Sequence, residues 1–236
     1  KRAISEAMAD MTNSKHRSPM SRLVQGNVGS GKTAVAAALC YSVIKNGVQA
    51  ALMAPTEILA QQHYASISNI LKNTGISVGL LTGSVTPAKK RKLIEQLQDG
   101  SIQMVIGTHA LISETVAFKN LGLVITDEQH RFGVAQRSLL AEKGNHPHML
   151  VMSATPIPRT LALIIYGDLD ISVLDELPPG RQTIETYAIS SRKRARALQY
   201  IRTHLDAGQQ AYIICPLVEE NTNDMASVVQ YANALQ

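Results

Sequence analysis

Eight consecutive residues, Gly26-Asn27-Val28-Gly29-Ser30-Gly31-Lys32-Thr33, fit the pattern G-x-x-x-x-G-K-[ST]. In that pattern the glycines let backbone N–H groups close around phosphate oxygens, while the lysine reaches the β- and γ-phosphates and the hydroxyl reaches Mg²⁺. Gly26, Asn27, Val28, Gly29, Ser30 and Gly31 form the candidate cradle, with Lys32 as its point charge and Thr33 as a metal ligand. A plain glycine turn between a strand and a helix would satisfy the same pattern. A second element decides between the two readings: the apolar run Leu121-Gly122-Leu123-Val124-Ile125 leads through Thr126 into Asp127-Glu128-Gln129-His130. Hydrolysis of ATP needs charge neutralised on the phosphates, a divalent metal held and a water aimed at the γ-phosphorus. Asp127 can hold Mg²⁺ with Thr33, partly through water, and Glu128 is placed to polarise the attacking water. Two carboxylates at a strand end are often only solvated, but the buried run before them directs this pair to the sheet edge. A carboxylate directly after the metal-binding Asp separates hydrolases from nucleotide kinases, so the pair points to a motor or a switch.

These groups must be carried by regular elements, and the chain supplies them in alternation. Short apolar runs and longer helical stretches follow one another, the signature of βα units around a mostly parallel sheet, and the expected fold class is α/β. Leu23 to Gln25 leads into the P-loop, and Thr33 to Lys45 reads as an Ala-rich helix closed by Asn46-Gly47. Val48 to Ala54 is the next strand, and Pro55-Thr56-Glu57 opens a helix to about Lys72 with Thr56 as its cap. Strand Ile76 to Leu81 and a helix from Thr86-Pro87 follow. Met104 to Gly107, Leu121 to Thr126 and Met149 to Ser153 complete the strands, each followed at once by polar residues. Functional groups thus collect at strand carboxyl ends, where open α/β sheets bind ligands.

The rhythm breaks before Leu177-Pro178-Pro179-Gly180-Arg181. Residues 1–168 are read as one lobe, 169–181 as a linker and 182–236 as the start of a second lobe. In that second stretch Thr183 to Ile189 and Gln210 to Pro216 read as strands, Arg192 to Ala207 as a basic helix and Met225 to Leu235 as another helix.

Composition narrows the partners. Hydrophobic residues make up 45% and charged residues 17% of 236, an ordinary globular balance. No run approaches the roughly 18 uninterrupted apolar residues of a membrane span. The start, Lys1-Arg2-Ala3, lacks an initiator Met, so an excerpt of a longer protein is expected. Cys40 and Cys215 have neither metal-ligand nor redox spacing, which favours a reducing, cytoplasmic setting without structural metal. A net charge of +5 suits a polyanionic partner only weakly, and the absence of Trp leaves few stacking platforms.

The run Asp127-Glu128-Gln129-His130-Arg131-Phe132-Gly133-Val134 resembles the DEQH form of motif II in helicase superfamily 2. It is similar to the RecG family of branched-DNA helicases and to the related transcription-repair coupling factor Mfd; Gln129 favours RecG. The likeness covers nearly the whole chain. Gly26 to Thr33 matches motif I, Ala54-Pro55-Thr56-Glu57-Ile58-Leu59-Ala60-Gln61-Gln62-His63 motif Ia, Gly107-Thr108-His109-Ala110 motif Ib and Ser153-Ala154-Thr155-Pro156-Ile157-Pro158-Arg159-Thr160 motif III. Tyr166 to Asp170 and Asp175 to Arg181 separate RecG from Mfd.

The resemblance implies a RecA-like P-loop NTPase lobe and the beginning of a second, with ATP bound between two lobes and Mg²⁺ as cofactor. It further implies a monomeric motor acting on branched or duplex DNA without reading its sequence. Thr56, Thr82, Thr108 and His109 would lie along the nucleic-acid face, contacting phosphates. Ser153 and Thr155 would link that face to the γ-phosphate, where Gln129 and His130 sense hydrolysis. Bland readings stand beside these: Thr56 as a helix cap, Ser153 and Thr155 as turn chemistry before Pro156, and Arg192 to Arg196 as a solvated helix face.

Two positions depart from the family. Asn27 stands where RecG proteins usually carry Asp, which puts affinity or turnover in question, and Thr126 replaces an aliphatic residue. A nucleotide-binding module with weakened catalysis, an Mfd-like translocase and an RNA-directed helicase remain the alternatives. Motifs V and VI, with their arginine finger, are expected beyond Gln236, so the chain alone should bind nucleotide and turn it over poorly; such a finger contributes about 10³ to 10⁵ in rate.

Overall fold

A computed structural model describes residues 1–12, 18–127, 139–155, 169–176, 184–215, 228, 232 and 233. Two compact units divide the chain, Lys1–Arg181 and Gln182–Gln236.

The first unit is built on strands β1 (Ser21–Gly26), β2 (Gln49–Met53), β3 (Val78–Leu81), β4 (Met104–Gly107), β5 (Leu121–Asp127), β6 (His148–Ser153) and β7 (Asp170–Leu174). They form one seven-stranded sheet in the order β3-β4-β2-β5-β6-β1-β7. Every pairing is parallel. β2 and β4 are buried at every position, as parallel strands covered on both faces must be.

Helices cover both faces. Helices α1 (Arg2–Thr12), α2 (Lys32–Lys45) and α3 (Glu57–Leu71) pack on one, where Leu39, Ile67 and Cys40 meet Leu52, Ile106 and Ile125. Alternate residues of the same strands, Ala51, Met53, Val105 and Val124, face Leu97 of α4 (Pro87–Asp99) and Leu111 on the other. Local signals bound the helices. Gly47 ends the turn after α2 with φ 84°, and the Thr56 hydroxyl accepts the Leu59 N–H at the start of α3. Pro87 opens α4, and Gly100 closes it with φ 85°.

Buried polar side chains bind the elements together. Gln49, 4% exposed, donates from Nε2 to the Leu97 and Ile102 carbonyls and accepts the Asn120 N–H at Oε1. One amide thereby satisfies three backbone groups at the starts of β4 and β5 and the end of α4. Arg22 on β1 bonds Asp10 at 2.7 Å, Glu6 at 3.3 Å and the Ser172 hydroxyl at 2.8 Å. The Ser172 hydroxyl also donates to Glu6, so α1, β1 and β7 share one charged network.

Three features differ from the sequence reading. Residues 169–181, read as a linker, begin with β7, which pairs with β1 from Arg22↔Asp170 to Gly26↔Leu174. Its edge position and its charged and polar residues hid it, and the Arg22 network holds it in place. Helix α1 was not anticipated. In the second unit, residues 184–190 and 209–215 form no strand, although 183–189 and 210–216 have strand composition. Strand propensity is realised only through a paired neighbour, and Ile184, Tyr187, Tyr212 and Ile214 all stay exposed. Helical structure there covers Ser191–Lys193 and Arg194–Asp206, while most of the helix read at 225–235 lies outside the described residues.

Arg22→Ala should lower stability by about 2 kcal/mol in chemical denaturation, less than the roughly 3–5 typical of fully buried pairs because both acids keep contact with water. A second expectation concerns pH. His148 Nδ1 accepts the Met20 N–H at 2.9 Å, which requires a neutral ring, and burial lowers its pKa below the ordinary 6.5. The unfolded chain therefore takes up this proton more readily, so His148 contributes stability fully above about pH 6.5 and loses it as pH falls below that value. Denaturation midpoints between pH 5 and 7.5 should fall less steeply in His148→Gln.

Candidate functional site

Because all strands run the same way, their carboxyl ends share one edge, and the residues that follow them are brought together there. The P-loop follows β1, Asp127 ends β5 and Ser153 ends β6, the strand between them. On the other half of the edge, Thr56 follows β2, Thr82 follows β3, and Thr108 and His109 follow β4.

In the P-loop, Gly29 and Gly31 have φ values of 79° and 97°, a left-handed backbone that favours glycine. Gly26 serves close approach instead: a Cβ there would lie 2.5 Å from Ser30 Oγ and 2.8 Å from Leu174 Cβ. Asn27 and Val28 are exposed, and the Ser30 N–H closes the turn onto the Asn27 carbonyl at 3.1 Å. The Lys32 ammonium donates to the carbonyls of Gly26 at 2.6 Å and Asn27 at 3.0 Å. Thr33, half-buried, sits in the first turn of α2. The loop fits a phosphate chain on two counts: it already carries a cation at its rim, and buried Ser30 Oγ has no partner among the described residues. A cavity of about 320 Å³, lined in part by Ile4, Gly31, Val35 and Leu174, opens beside it.

Asp127 is 7% exposed and receives a hydrogen bond from His63 Nε2 at 2.6 Å on its Oδ2. Glu128, Gln129 and His130 lie outside the described residues, as do 156–160 of the stretch begun by Ser153. Ser153 is fully buried, with Oγ 3.1 Å from Thr155 Oγ1 and accepting the Thr155 N–H at 3.3 Å. Thr155 itself is exposed.

The far half of the edge is shaped by short turns. Thr82, 2% exposed, places Oγ1 3.0 Å from Ser84 Oγ, and the Ser84 N–H donates to Glu57 Oε1 at 3.1 Å. Thr108 is buried, with its N–H on the Leu81 carbonyl at 3.2 Å, and His109 is exposed. At Gly107 any Cβ would collide with the Leu81 carbonyl, which brings the turns after β3 and β4 side by side.

His63 and Glu57 went without roles in the sequence reading. The available signal was a polar His63 within the buried stripe Ala60, Ile67 and Leu71 of α3. Burial pushes the Cys40 thiol up to about 12, which removes it as a nucleophile. Among the described residues no group of three or more His, Cys, Asp or Glu could hold a metal by itself, and no helix is long and apolar enough to cross a membrane.

Comparison with known proteins places this edge in a family. The chain is 53% identical to the ATP-dependent DNA helicase RecG of Aquifex aeolicus, over 93% of its own length and 28% of the relative's. With RecG of Bacillus subtilis it shares 51% identity over 99% of the chain and 34% of the relative. The chain thus spans about a third of these relatives or less. A solved structure of RecG bound to a three-way DNA junction superimposes with a TM-score of 0.79 at 46% identity, covering 92% of this chain and 29% of that one. Residues 2–164, most of the chain, match the DEAD/DEAH box helicase model, and the protein belongs to the DEAD/DEAH box helicase family.

Proposed function

We propose that this chain supplies the ATP-binding lobe, and the start of a second RecA-like lobe, of a RecG-type DNA helicase or translocase that remodels branched DNA such as forks and junctions. The observation that carries the proposal is the layout of one sheet edge. P-loop and Asp127 flank β6 on one half, and the Thr56, Thr82 and Thr108 turns occupy the other.

In this reading the family's ATP enters with its triphosphate against the P-loop N–H groups, and its nucleoside suits the adjoining cavity. Lys32 leaves the Gly26 and Asn27 carbonyls to meet the β- and γ-phosphates. Thr33 and Asp127 would hold Mg²⁺, which when bound neutralises charge developing on the phosphates. Glu128 orients and deprotonates the attacking water. Gln129 and His130 would sense the loss of the γ-phosphate and pass it to Ser153 and Thr155. Thr56, Thr82, Thr108 and His109 would grip the DNA backbone, which is uniform along any sequence. The protein would act as a monomer in the cytoplasm. An Mfd-like role gains no support, since the relatives matched above are RecG proteins.

Two substitutions in the full-length protein test the reading. Lys32→Ala should weaken ATP binding by about 10- to 100-fold in equilibrium titration, the loss of charge-assisted hydrogen bonds. Glu128→Gln should keep ATP and forked-DNA binding while lowering DNA-stimulated turnover by about 10²- to 10⁴-fold. Turnover at the wild-type rate in the Glu128 variant would refute its role with water.

A further inference from the structure

The hydrogen bond between His63 and Asp127 has no part in the function described so far. His63 lies on the buried side of α3, 8% exposed, between the apolar residues Ala60 and Ile67. A polar ring at such a position destabilises a helix face unless it finds a partner. Its partner is a carboxylate 64 residues away in sequence, at the end of a different element. Asp127 accepts through Oδ2, so the ring donates Nε2–H and leaves Oδ1 for other duties. Outer groups that hold one atom of a ligating side chain fix the orientation of the other, and their loss weakens metal binding.

The helix that carries His63 is also fixed at its N-terminal end. Thr56 caps it, and Glu57 in its first turn holds the Ser84 N–H of the turn after β3. His63 follows about two turns later, roughly 10 Å along the axis. A single rigid element therefore spans from the Thr82–Ser84 turn to the Asp127 carboxylate.

We propose that His63 is a positioning residue: it locks the Asp127 carboxylate in the orientation that receives hydrated Mg²⁺ and makes that orientation depend on the seating of α3. The proposal rests on the reading of Asp127 as a metal-binding residue. It treats His63 as a group that touches neither nucleotide nor DNA.

The test uses the full-length protein and a fluorescent, non-hydrolysable ATP analogue. Its equilibrium binding is titrated with Mg²⁺, alongside binding in EDTA. His63→Leu, which keeps the bulk and removes the donor, should raise the Mg²⁺ concentration for half-maximal binding about tenfold or more, with binding in EDTA unchanged. His63→Gln, whose amide can still donate from the same reach, should stay within about threefold of the wild type. An unchanged Mg²⁺ requirement in His63→Leu, or equal shifts in the Leu and Gln variants, overturns the proposal. Should the Leu variant fail to fold, His63→Asn, whose amide is too short to reach Asp127, is judged by the same criterion. Asp127→Asn separates the two levels of the argument. If it leaves the Mg²⁺ requirement unchanged, the metal role of Asp127 falls; if it shifts while the His63 variants do not, only the role of His63 falls.

Discussion

Parallel pairing of β6 with β1 on one side and β5 on the other is the constraint on which the site depends. The ladders align Gln25 with Ser153 and Asp127 with Met152, so the P-loop, Ser153 and Asp127 leave the sheet at nearly the same level. Strands in a sheet lie about 4.8 Å apart, which puts the ends of β1 and β5 about 10 Å from each other. That separation suits a phosphate chain and a hydrated cation lying between the loop and the carboxylate. An antiparallel neighbour in place of β6 would send one of these groups to the opposite edge.

Around that ladder, polar side chains set positions that apolar packing cannot. Hydrophobic contact is non-directional, and the core of leucines, isoleucines and alanines would tolerate small slips of a helix over the sheet. Gln49, Arg22 and Glu57 remove that freedom. Each joins elements distant in the chain through directional bonds: Arg22 braces β7, whose far end at Leu174 pairs with Gly26 of the P-loop, and Glu57 anchors the turn after β3.

Much of the first unit was legible in the residues because its central strands are buried on both faces and read as unbroken apolar runs. The P-loop conformation was equally legible, since Gly29 and Gly31 stand where the backbone is left-handed. So was the strand-end position of Asp127. β7 was not, because only one of its five residues is buried and its neighbours on the chain resemble a linker. α1 seats Ala3 and Ala7 on the core with Ile4, Met8 and Met11 beside them, an amphipathic spacing the sequence does carry, but its Glu6 and Asp10 pair with Arg22 across separations that no local pattern records. The bond from His63 to Asp127 was hidden for the same reason. In the second unit the local pattern suggested strands that residues 184–190 and 209–215 do not form, because a strand is a relation between two segments and neither of these is paired with another among the described residues.

Gly107 shows that a helicase motif can record two different histories. Gly107-Thr108-His109 reads as a DNA-contacting signature, yet its first residue is dictated by the Leu81 carbonyl pressed against it. The space between those two backbones admits a hydrogen atom and nothing larger. Invariance at such a position would measure the closeness of two strands, while invariance at the exposed His109 next to the motif's buried threonine would measure contact with a ligand. Two letters of one motif, a single residue apart, thus answer to unrelated forces, and tolerance to substitution alone would not tell them apart.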